Sequence, residues 1–284
     1  MYKRQGVLAP PLTWLYVPGD RPEVVAKALR AGADVVLVDL EDAVAPARKE
    51  YARDATAELL AGQPPVPVHV RVNCPSSPEG RADLKTLLPC PGLGGVRLPK
   101  VTSADTVARV AGRASALGRA GLPLFPLLES ALAVEEAFRI AGADPSVGGV
   151  SLGEADLRAD LGVREDAGLD WCRSRVVVAA RAAGLHPPAQ SVHPDVRDLE
   201  GLRAGCARGR ALGFLGRAAI HPRQLPVIAR AYLPTSREVE EAEEIVEAAR
   251  HAGPGAQALP DGRFVDAAVL ATAHRTLALA ARRD

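Results

Sequence analysis

The sequence predicts an α/β protein built as a (β/α)8 TIM barrel, followed by a C-terminal helical extension. Short runs rich in Val and Leu alternate with stretches of helical period along most of the 284 residues. The apolar runs lack polar–apolar alternation, which is typical of parallel strands buried on both faces. Eight strand-then-helix units follow one another, and a closed barrel is the commonest way to bury such a repetition. An open doubly wound sheet is the alternative, but no GxGxxG turn follows the first strand.

Eight segments carry the strand pattern. The clearest is DVVLVDL at residues 34–40, and the weakest is PAQSV at residues 188–192. In chain order the predicted strands are residues 13–17, 34–40, 66–72, 95–99, 122–128, 147–152, 188–192 and 217–220.

Helical period fills the intervals between the strands. Pro22 suits the first turn of a helix, Gly32 the position after its end, and Ser103 an N-cap. The predicted helices of this part are residues 22–31, 48–60, 81–88, 103–117, 131–141, 170–183 and 195–212.

Beyond Pro222 the pattern changes to a charged helix over residues 238–251, a loop over 253–262 and a last helix over about 266–283. We therefore predict a catalytic barrel, residues 1–228, and a lid or oligomerisation extension, residues 229–284. The extension is expected to pack on the barrel, on a neighbouring subunit, or across the active-site mouth.

Composition and charge argue against several classes of protein. Hydrophobic residues make up 48% and charged residues 24%, which is typical of a globular rather than a disordered chain. Lys and Arg number 35 against 34 Asp and Glu, so no nucleic-acid partner is expected. No apolar run reaches the ~18 residues of a membrane span, and no signal peptide or CxxC pair is seen. We expect a cytoplasmic enzyme with reduced thiols.

Polar residues follow nearly every predicted strand at its carboxyl end, the edge at which barrel enzymes carry out their chemistry. A barrel does not need a ring of ionisable groups at one mouth in order to fold. Their convergence therefore predicts an active site. They are Asp39, Glu41, Asp42, Arg71, Asn73, Lys100, Glu129, Glu154, Asp156 and His221.

Glu129 and Asp156 are the candidate metal ligands. Two carboxylates on neighbouring strands, with no Cys or His nearby in sequence, favour Mg²⁺, which leaves its other positions to water and substrate. The six scattered histidines form no HExxH motif, so zinc is not expected. The alternative is that Asp156 only caps a short helix and Glu129 only pairs with an arginine.

Arg71 is the candidate for binding a substrate carboxylate, because a guanidinium offers a planar fork that matches two oxygens. The alternative is an intramolecular ion pair with Asp39 or Glu41. Lys100 and Asp39 are further substrate-binding candidates, and the acids after the second strand are interpreted as holding a water or Arg71. His221 is interpreted as structural.

The Gly19-Asp20-Arg21 turn has two interpretations. Its backbone amides suit a phosphate at a helix start. Equally, it suits a tight turn between a strand and a helix.

These residues, in this order, resemble the citrate lyase β-subunit-like branch of the HpcH/HpaI aldolase family. The resemblance spans most of the chain. The matching segments are LYVPGDRPEVVAKAL (15–29), DVVLVDLEDAV (34–44), VRVN (70–73), GGVRLPKV (94–101), PLLES (126–130), SLGEADLRADLG (151–162) and AAIHPRQL (218–225).

The resemblance implies a Mg²⁺-dependent carbon–carbon lyase. Its substrate would be a citryl-, malyl- or citramalyl-type thioester of coenzyme A or an acyl carrier protein. Its products would be a 2-oxo acid (oxaloacetate, glyoxylate or pyruvate) and an acyl thioester. By position, Glu129 and Asp156 resemble the family's metal ligands and Arg71 its carboxylate-binding arginine.

The GRFVD segment at residues 262–266 resembles the family's lid motif, whose aspartate is catalytic. This implies that Asp266 acts in catalysis, from its own or an adjacent subunit of a homo-oligomer, with a trimer favoured.

The chain departs from the family pattern at three places. Ala155 separates two acids that are often adjacent, Ala267 and Ala268 replace the usual proline, and Ser191 stands where an acid is expected. The acyl partner is therefore left open. Two alternatives are an aldolase acting on a free 2-oxo acid and an aldehyde, and a lyase subunit active only within a multi-subunit citrate lyase.

Overall fold

The computed structural model describes residues 10–252, 257–258 and 264–282. Its centre is a seven-stranded parallel sheet in the order β6-β5-β4-β3-β2-β1-β7, so the predicted α/β class and parallel pairing are confirmed. The strands of this sheet are β1 Thr13–Pro18, β2 Val35–Asp39, β3 Val68–Arg71, β4 Leu93–Leu98, β5 Leu124–Leu128, β6 Ser151–Leu152 and β7 Arg217–Ala219. Two short strands, β8 Gln257–Ala258 and β9 Phe264–Val265, pair antiparallel with each other.

Helices follow the strands at most of the predicted places. The prediction over residues 131–141 is corrected, because the segment is interrupted at Glu136 and forms two short helices. The helices are α1 Pro22–Ala28, α2 Lys49–Leu60, α3 Pro78–Leu87, α4 Ala104–Ala116, α5 Ala131–Glu135, α6 Ala137–Ala141, α7 Glu154–Leu161, α8 Asp170–Ala182, α9 Leu199–Ala211, α10 Leu225–Tyr232, α11 Ser236–Ala252 and α12 Ala267–Ala280. Sequence reasoning missed α7 and α10.

The predicted seventh strand, residues 188–192, is not a ladder strand. It makes a single parallel bridge, from Gln190 to Arg217 on β7. Pro187 and Pro188 precede this bridge and have no N–H to donate to a ladder. On its other side the Ser191 hydroxyl donates to the Leu152 carbonyl at 2.6 Å, so a side chain joins this segment to β6.

The capping residues correct two further expectations. Ser103 occupies the N-cap of α4, but its Oγ lies 3.3 Å from Thr106 Oγ1 and caps no backbone N–H. Ser77 and Ser130 do cap α3 and α5 through their side chains. The predicted role of Gly32 is also corrected, because α1 ends at Ala28 with Leu29 as its C-cap and Gly32 lies in the following turn. Its φ there is +82°, a conformation that glycine adopts without strain.

The register of the strands aligns polar residues at the carboxyl ends of β2, β3 and β4. Val36, Leu37 and Val38 on β2 are at most 1% exposed, which fixes the central strand in the core. Asp39 pairs in register with Arg71, and Arg71 with Arg97. Polar side chains from three adjacent strands therefore lie in one row.

The chain divides into two compact units. Among the described residues the first is Pro11–Ala231, and the second runs from Tyr232 onward and includes Pro10. In the second unit α11 and α12 pack on each other through a small cluster that contains Ala242, Val246 and Ala273. Within the described part of the chain, no helix combines the length and the apolar character that crossing a membrane requires.

Candidate active site

A cavity of about 880 Å³ opens at the carboxyl ends of the strands in the first unit. Of the predicted site residues, Asp39, Arg71, Glu129 and Asp156 line this cavity. Lys100 contacts two of these side chains directly. Sequence reasoning thus identified a set of residues that the fold brings together.

Arg71, at the end of β3, is held by carboxylates. Its Nε and Nη2 donate to the two oxygens of Asp39 at 2.7 and 2.6 Å, a two-point pairing that fixes the guanidinium plane. Its Nη1 lies 3.0 Å from Glu41 Oε2 and 3.2 Å from Asp42 Oδ2. The intramolecular ion pair given above as the alternative is therefore present, and Nη1 is the nitrogen that faces the more exposed acid, Asp42.

Lys100 lies at the centre of an acidic cluster. Its Nζ donates to Asp156 Oδ2 at 2.5 Å and lies 3.6 Å from both Glu129 Oε1 and Glu41 Oε1. Its backbone has a φ of +54°, a left-handed conformation that is costly for any residue except glycine. In this conformation the Lys100 N–H donates to Glu129 Oε1 at 2.5 Å, so the strained turn helps to hold that carboxylate.

Glu129, at the end of β5, is only 8% exposed, and burial raises the pKa of its carboxyl. The backbone of Gly153 packs directly against it, because a Cβ at that position would lie 2.4 Å from Glu129 Oε2. Glu129 pairs with Lys100 and not with an arginine, so the alternative given for it above is wrong.

Asp156 lies in the first turn of α7, whose N-cap is Gly153. The alternative that Asp156 only caps this helix is therefore wrong. The Asp156 side chain is 46% exposed.

Glu154, two residues before Asp156, forms an ion pair with Arg173. Arg173 on α8 donates to its two carboxylate oxygens at 3.0 and 2.7 Å, and also to Asp166. The Arg173 side chain is itself nearly buried. This ion-pair cluster fixes the start of α7 and leaves Asp156 as the acid of this segment that faces Lys100.

Two carboxylates that lie close together offer oxygen ligands to a hard divalent ion. Lys100 Nζ marks the place where Glu129 and Asp156 meet. No group of three or more His, Cys, Asp or Glu side chains suited to a metal occurs among the described residues. Mg²⁺ commonly binds through one or two protein carboxylates and keeps water or substrate in its other positions, so the donor set fits this ion.

Glu41 is an unusual acid beside this cluster. Burial raises the pKa of its carboxyl from 4.5 to about 7, although Arg71 and Lys100 act in the opposite direction. Neither of its carboxylate oxygens accepts a hydrogen bond of good geometry, although Arg71 Nη1 lies 3.0 Å from Oε2. The neutral form is therefore favoured in the folded protein, and the ionised form costs stability.

This gives a pH-dependent prediction for Glu41→Gln. A raised pKa in the folded state means that the Glu41 contribution is fully present below about pH 4.5 and is lost as the pH rises through about 7. We expect the Tm of Glu41→Gln relative to wild type, both with EDTA, to be higher at about pH 8 than at about pH 5. A difference that stays constant between these pH values would contradict the burial of an ionisable Glu41.

Tyr16, Arg97 and Ser151 are among the cavity residues that the sequence analysis did not identify. Arg97 had a detectable signal, since a charged residue stands inside the apolar run of a predicted strand. Tyr16 and Ser151 carried no such signal. Burial raises the pKa of the Tyr16 phenol, and Ser151 accepts a hydrogen bond from Arg97 Nη1 at 3.1 Å.

Two minor candidates are structural. His221 Nδ1 accepts from the Arg223 N–H and caps a short 3₁₀ turn, as expected for a structural histidine. At Gly19 a Cβ would lie 2.6 Å from Leu40 Cδ2, which supports the tight-turn interpretation of that segment.

Asp266 belongs to the second compact unit. It caps α12, where its Oδ1 accepts from the N–H groups of Ala268 and Val269, both at 2.9 Å. Gly262 and Arg263 of the GRFVD segment, and the predicted loop over 253–262 apart from β8, lie outside the described residues.

Comparisons with known proteins find a matching family model and several similar relatives. The family model described as HpcH/HpaI aldolase/citrate lyase matches residues 12–222. A citrate lyase subunit beta-like protein of Mycobacterium tuberculosis is 36% identical over 272 residues, which are 93% of each chain. A (3S)-malyl-CoA thioesterase of Cereibacter sphaeroides is 36% identical over 280 residues, 94% of this chain and 93% of the other.

A solved structure of M. tuberculosis CitE, in complex with magnesium, acetoacetate and coenzyme A, is similar with a TM-score of 0.80. It is 35% identical in sequence, and the alignment covers 96% of this chain and 99% of that one. A second structure, of the M. tuberculosis citrate lyase beta subunit with oxaloacetate and magnesium, has a TM-score of 0.68 and 34% identity. That match covers 81% of this chain and 100% of the other.

Proposed function

Because the chain belongs to the HpcH/HpaI aldolase/citrate lyase family, we propose that this lyase uses Mg²⁺ to cleave or form a 3-hydroxy-3-carboxyacyl thioester. Citryl-, malyl- and citramalyl-CoA are the substrate types, and the products are a 2-oxo acid and an acyl thioester. The observation that carries the proposal is that the carboxylates of Glu129 and Asp156 both lie within ion-pair distance of Lys100 Nζ and therefore close to each other. Arg71 lines the same cavity.

We propose Glu129 and Asp156 as the residues that hold Mg²⁺, which is present in the related M. tuberculosis structures. When bound, the ion lowers the pKa of the substrate hydroxyl and stabilises the forming 2-oxo group. Lys100 presents its N–H to Glu129 and its Nζ to Asp156, so it positions both carboxylates.

Arg71 is proposed to orient the carboxylate end of the substrate. Asp39 engages the Nε and Nη2 side of the guanidinium and fixes its plane. The Nη1 side faces Asp42, an exposed side chain that a substrate carboxylate can replace as partner. Such fixed orientation lowers the barrier by removing rotational freedom before the reaction.

Cleavage then requires two proton transfers. A base takes the proton of the substrate hydroxyl, the carbon–carbon bond breaks, and its electron pair forms the enolate of the acyl thioester. Asp266 is proposed to deliver a proton to that enolate carbon, and to remove it in the reverse direction. The acyl thioester leaves with its thioester bond intact.

The remaining proposals concern assembly. We infer that the bridged segment around Gln190, predicted as the seventh strand, lies between β6 and β7 and closes the barrel. The residues after the barrel are proposed to act as a lid, from the same or a neighbouring subunit of a homotrimer in the cytoplasm.

A second candidate function is thioester hydrolysis. The 36% identical relative from C. sphaeroides is named a (3S)-malyl-CoA thioesterase. The same kind of substrate would then yield free coenzyme A and a hydroxy acid.

The proposed role of Arg71 predicts the effect of Arg71→Lys. Lysine keeps the charge but loses the planar fork, and a charged hydrogen bond contributes about 1.5–3 kcal/mol. We expect the Kd for a 2-oxo acid, measured by calorimetry with Mg²⁺, to rise roughly tenfold to a hundredfold. An unchanged Kd would make Arg71 a purely structural residue.

The experiment that tests the proposed site is a titration of the wild-type protein with pyruvate, glyoxylate and oxaloacetate. Binding of at least one 2-oxo acid is expected with Mg²⁺ and should be lost with EDTA. Failure of all three to bind with Mg²⁺ would contradict the proposal.

A further inference from the structure

A second arginine lines the cavity and has no role in the function proposed above. Arg97 on β4 is in register with Arg71 on β3, so the two backbones are about 4.8 Å apart. Both side chains line the same cavity, and Arg97 is only 4% exposed. The two guanidinium groups therefore belong to one continuous site.

The charge of Arg71 is balanced and that of Arg97 is not. Arg71 contacts three carboxylates. Among the described residues, no carboxylate lies within ion-pair distance of Arg97. Its Nη1 donates to Ser151 Oγ, and its Nε is buried without a hydrogen-bond partner.

Apart from the neighbouring Arg71, the groups described around Arg97 are apolar or neutral. The guanidinium lies 5.1 Å from the centre of the Phe125 ring and 5.7 Å from that of Trp14. His69 stacks on Phe125, and burial lowers the pKa of its imidazole to about 3, so it is neutral. Trp14 Nε1 and His69 Nδ1 are also buried without partners.

Arg217, another arginine of the cavity, differs from Arg97. Its Nε donates to the carbonyl of Ser191 at 2.9 Å and its Nη2 to that of Val192 at 3.4 Å. Of these two arginines, Arg97 is the one whose buried Nε has no acceptor among the described residues.

A buried charge without a counterion is costly, and the cost is recovered when an anion binds to it. A guanidinium with free N–H groups matches a carboxylate in shape and charge. We infer that Arg97 binds a second carboxylate, so that the 2-oxo acid handled by this enzyme is a short dicarboxylate such as oxaloacetate. This inference rests on the proposed function and adds the substrate class and the residue that selects it.

The test compares oxaloacetate with pyruvate by calorimetry, on the full chain with Mg²⁺. Wild type should bind oxaloacetate more tightly than pyruvate. Arg97→Met, which is apolar and similar in length, should weaken oxaloacetate binding roughly tenfold to a hundredfold. Its Kd for pyruvate should stay within about twofold of wild type. Arg97→Lys keeps the charge but loses the planar guanidinium, so its Kd for oxaloacetate should lie between those of wild type and Arg97→Met.

Thermal unfolding without ligand supplies an independent readout. If Arg97 serves to bind an anion, Arg97→Met removes an unbalanced buried charge and should raise the Tm of the ligand-free protein. If Arg97 instead stabilises the fold through its contacts with Ser151 and the aromatic rings, the same change should lower the Tm.

The outcomes separate this inference from the proposed function. Wild type that binds pyruvate as tightly as oxaloacetate overturns the inference even if no variant folds. Equal weakening of both ligands in Arg97→Met also overturns it. If glyoxylate binds with Mg²⁺ but oxaloacetate and pyruvate do not, the inference fails and the proposed function stands. If none of the three binds, both fail.

Discussion

Glu129→Gln is expected to abolish Mg²⁺-dependent cleavage while the protein stays folded. The amide oxygen of Gln can still accept the N–H of Lys100, so the local hydrogen bond survives. The negative charge that a divalent ion needs is lost. Because Lewis-acid stabilisation contributes several kcal/mol, turnover should fall on the order of a thousandfold or more.

The measurements are turnover with Mg²⁺ and binding of Mn²⁺, used as a paramagnetic substitute and followed by electron paramagnetic resonance. Asp156→Asn should behave like Glu129→Gln. Glu154→Gln is the matched control, because Glu154 lies in the same segment but pairs with Arg173, and it should keep Mn²⁺ affinity. Unchanged Mn²⁺ affinity in both Glu129→Gln and Asp156→Asn would remove the assignment of the metal site.

The second large effect is expected for Asp266→Asn, which should lower turnover strongly and leave Mg²⁺ and 2-oxo acid affinity nearly unchanged. General acid–base catalysis contributes about a hundredfold to ten-thousandfold. Asn is as good an N-cap as Asp, so the two hydrogen bonds at the start of α12 can be kept. Asp266→Ala is the comparison, because it removes both the cap and the acid.

Full turnover in Asp266→Asn would remove the catalytic role of Asp266. Mixing Asp266→Asn with Arg71→Ala subunits shows which subunit supplies the lid to a given active site. Recovery of activity would place the lid on a neighbouring subunit. No recovery, with subunit exchange demonstrated, would place it on its own barrel.

The position of the candidate active site could be predicted because the carboxyl ends of parallel strands lie at the same edge of the sheet. Once Asp39, Arg71 and Glu129 were placed at strand ends, the direction of the sheet alone brought them to one cavity. The family resemblance rested on the same residues, and the comparisons confirmed it.

Other features depend on contacts that no local pattern reveals. The predicted seventh strand forms only a single bridge to β7, and the Ser191 hydroxyl joins the same segment to β6. Helix α7 is short, and its start is fixed by Arg173, a residue of α8. The strain at Lys100 and the unbalanced charge at Arg97 arise from tertiary packing, so only the fold reveals them.

Cleavage of a carbon–carbon bond by this enzyme is tested most directly by product analysis on the purified chain alone. Citryl-, malyl- and citramalyl-CoA are supplied in turn with Mg²⁺, and the 2-oxo acid and free thiol are measured in the same reaction. We predict that one substrate yields a 2-oxo acid together with an intact acyl-CoA, without free thiol and only when Mg²⁺ is present. Free thiol without any 2-oxo acid would contradict the lyase and indicate a thioesterase.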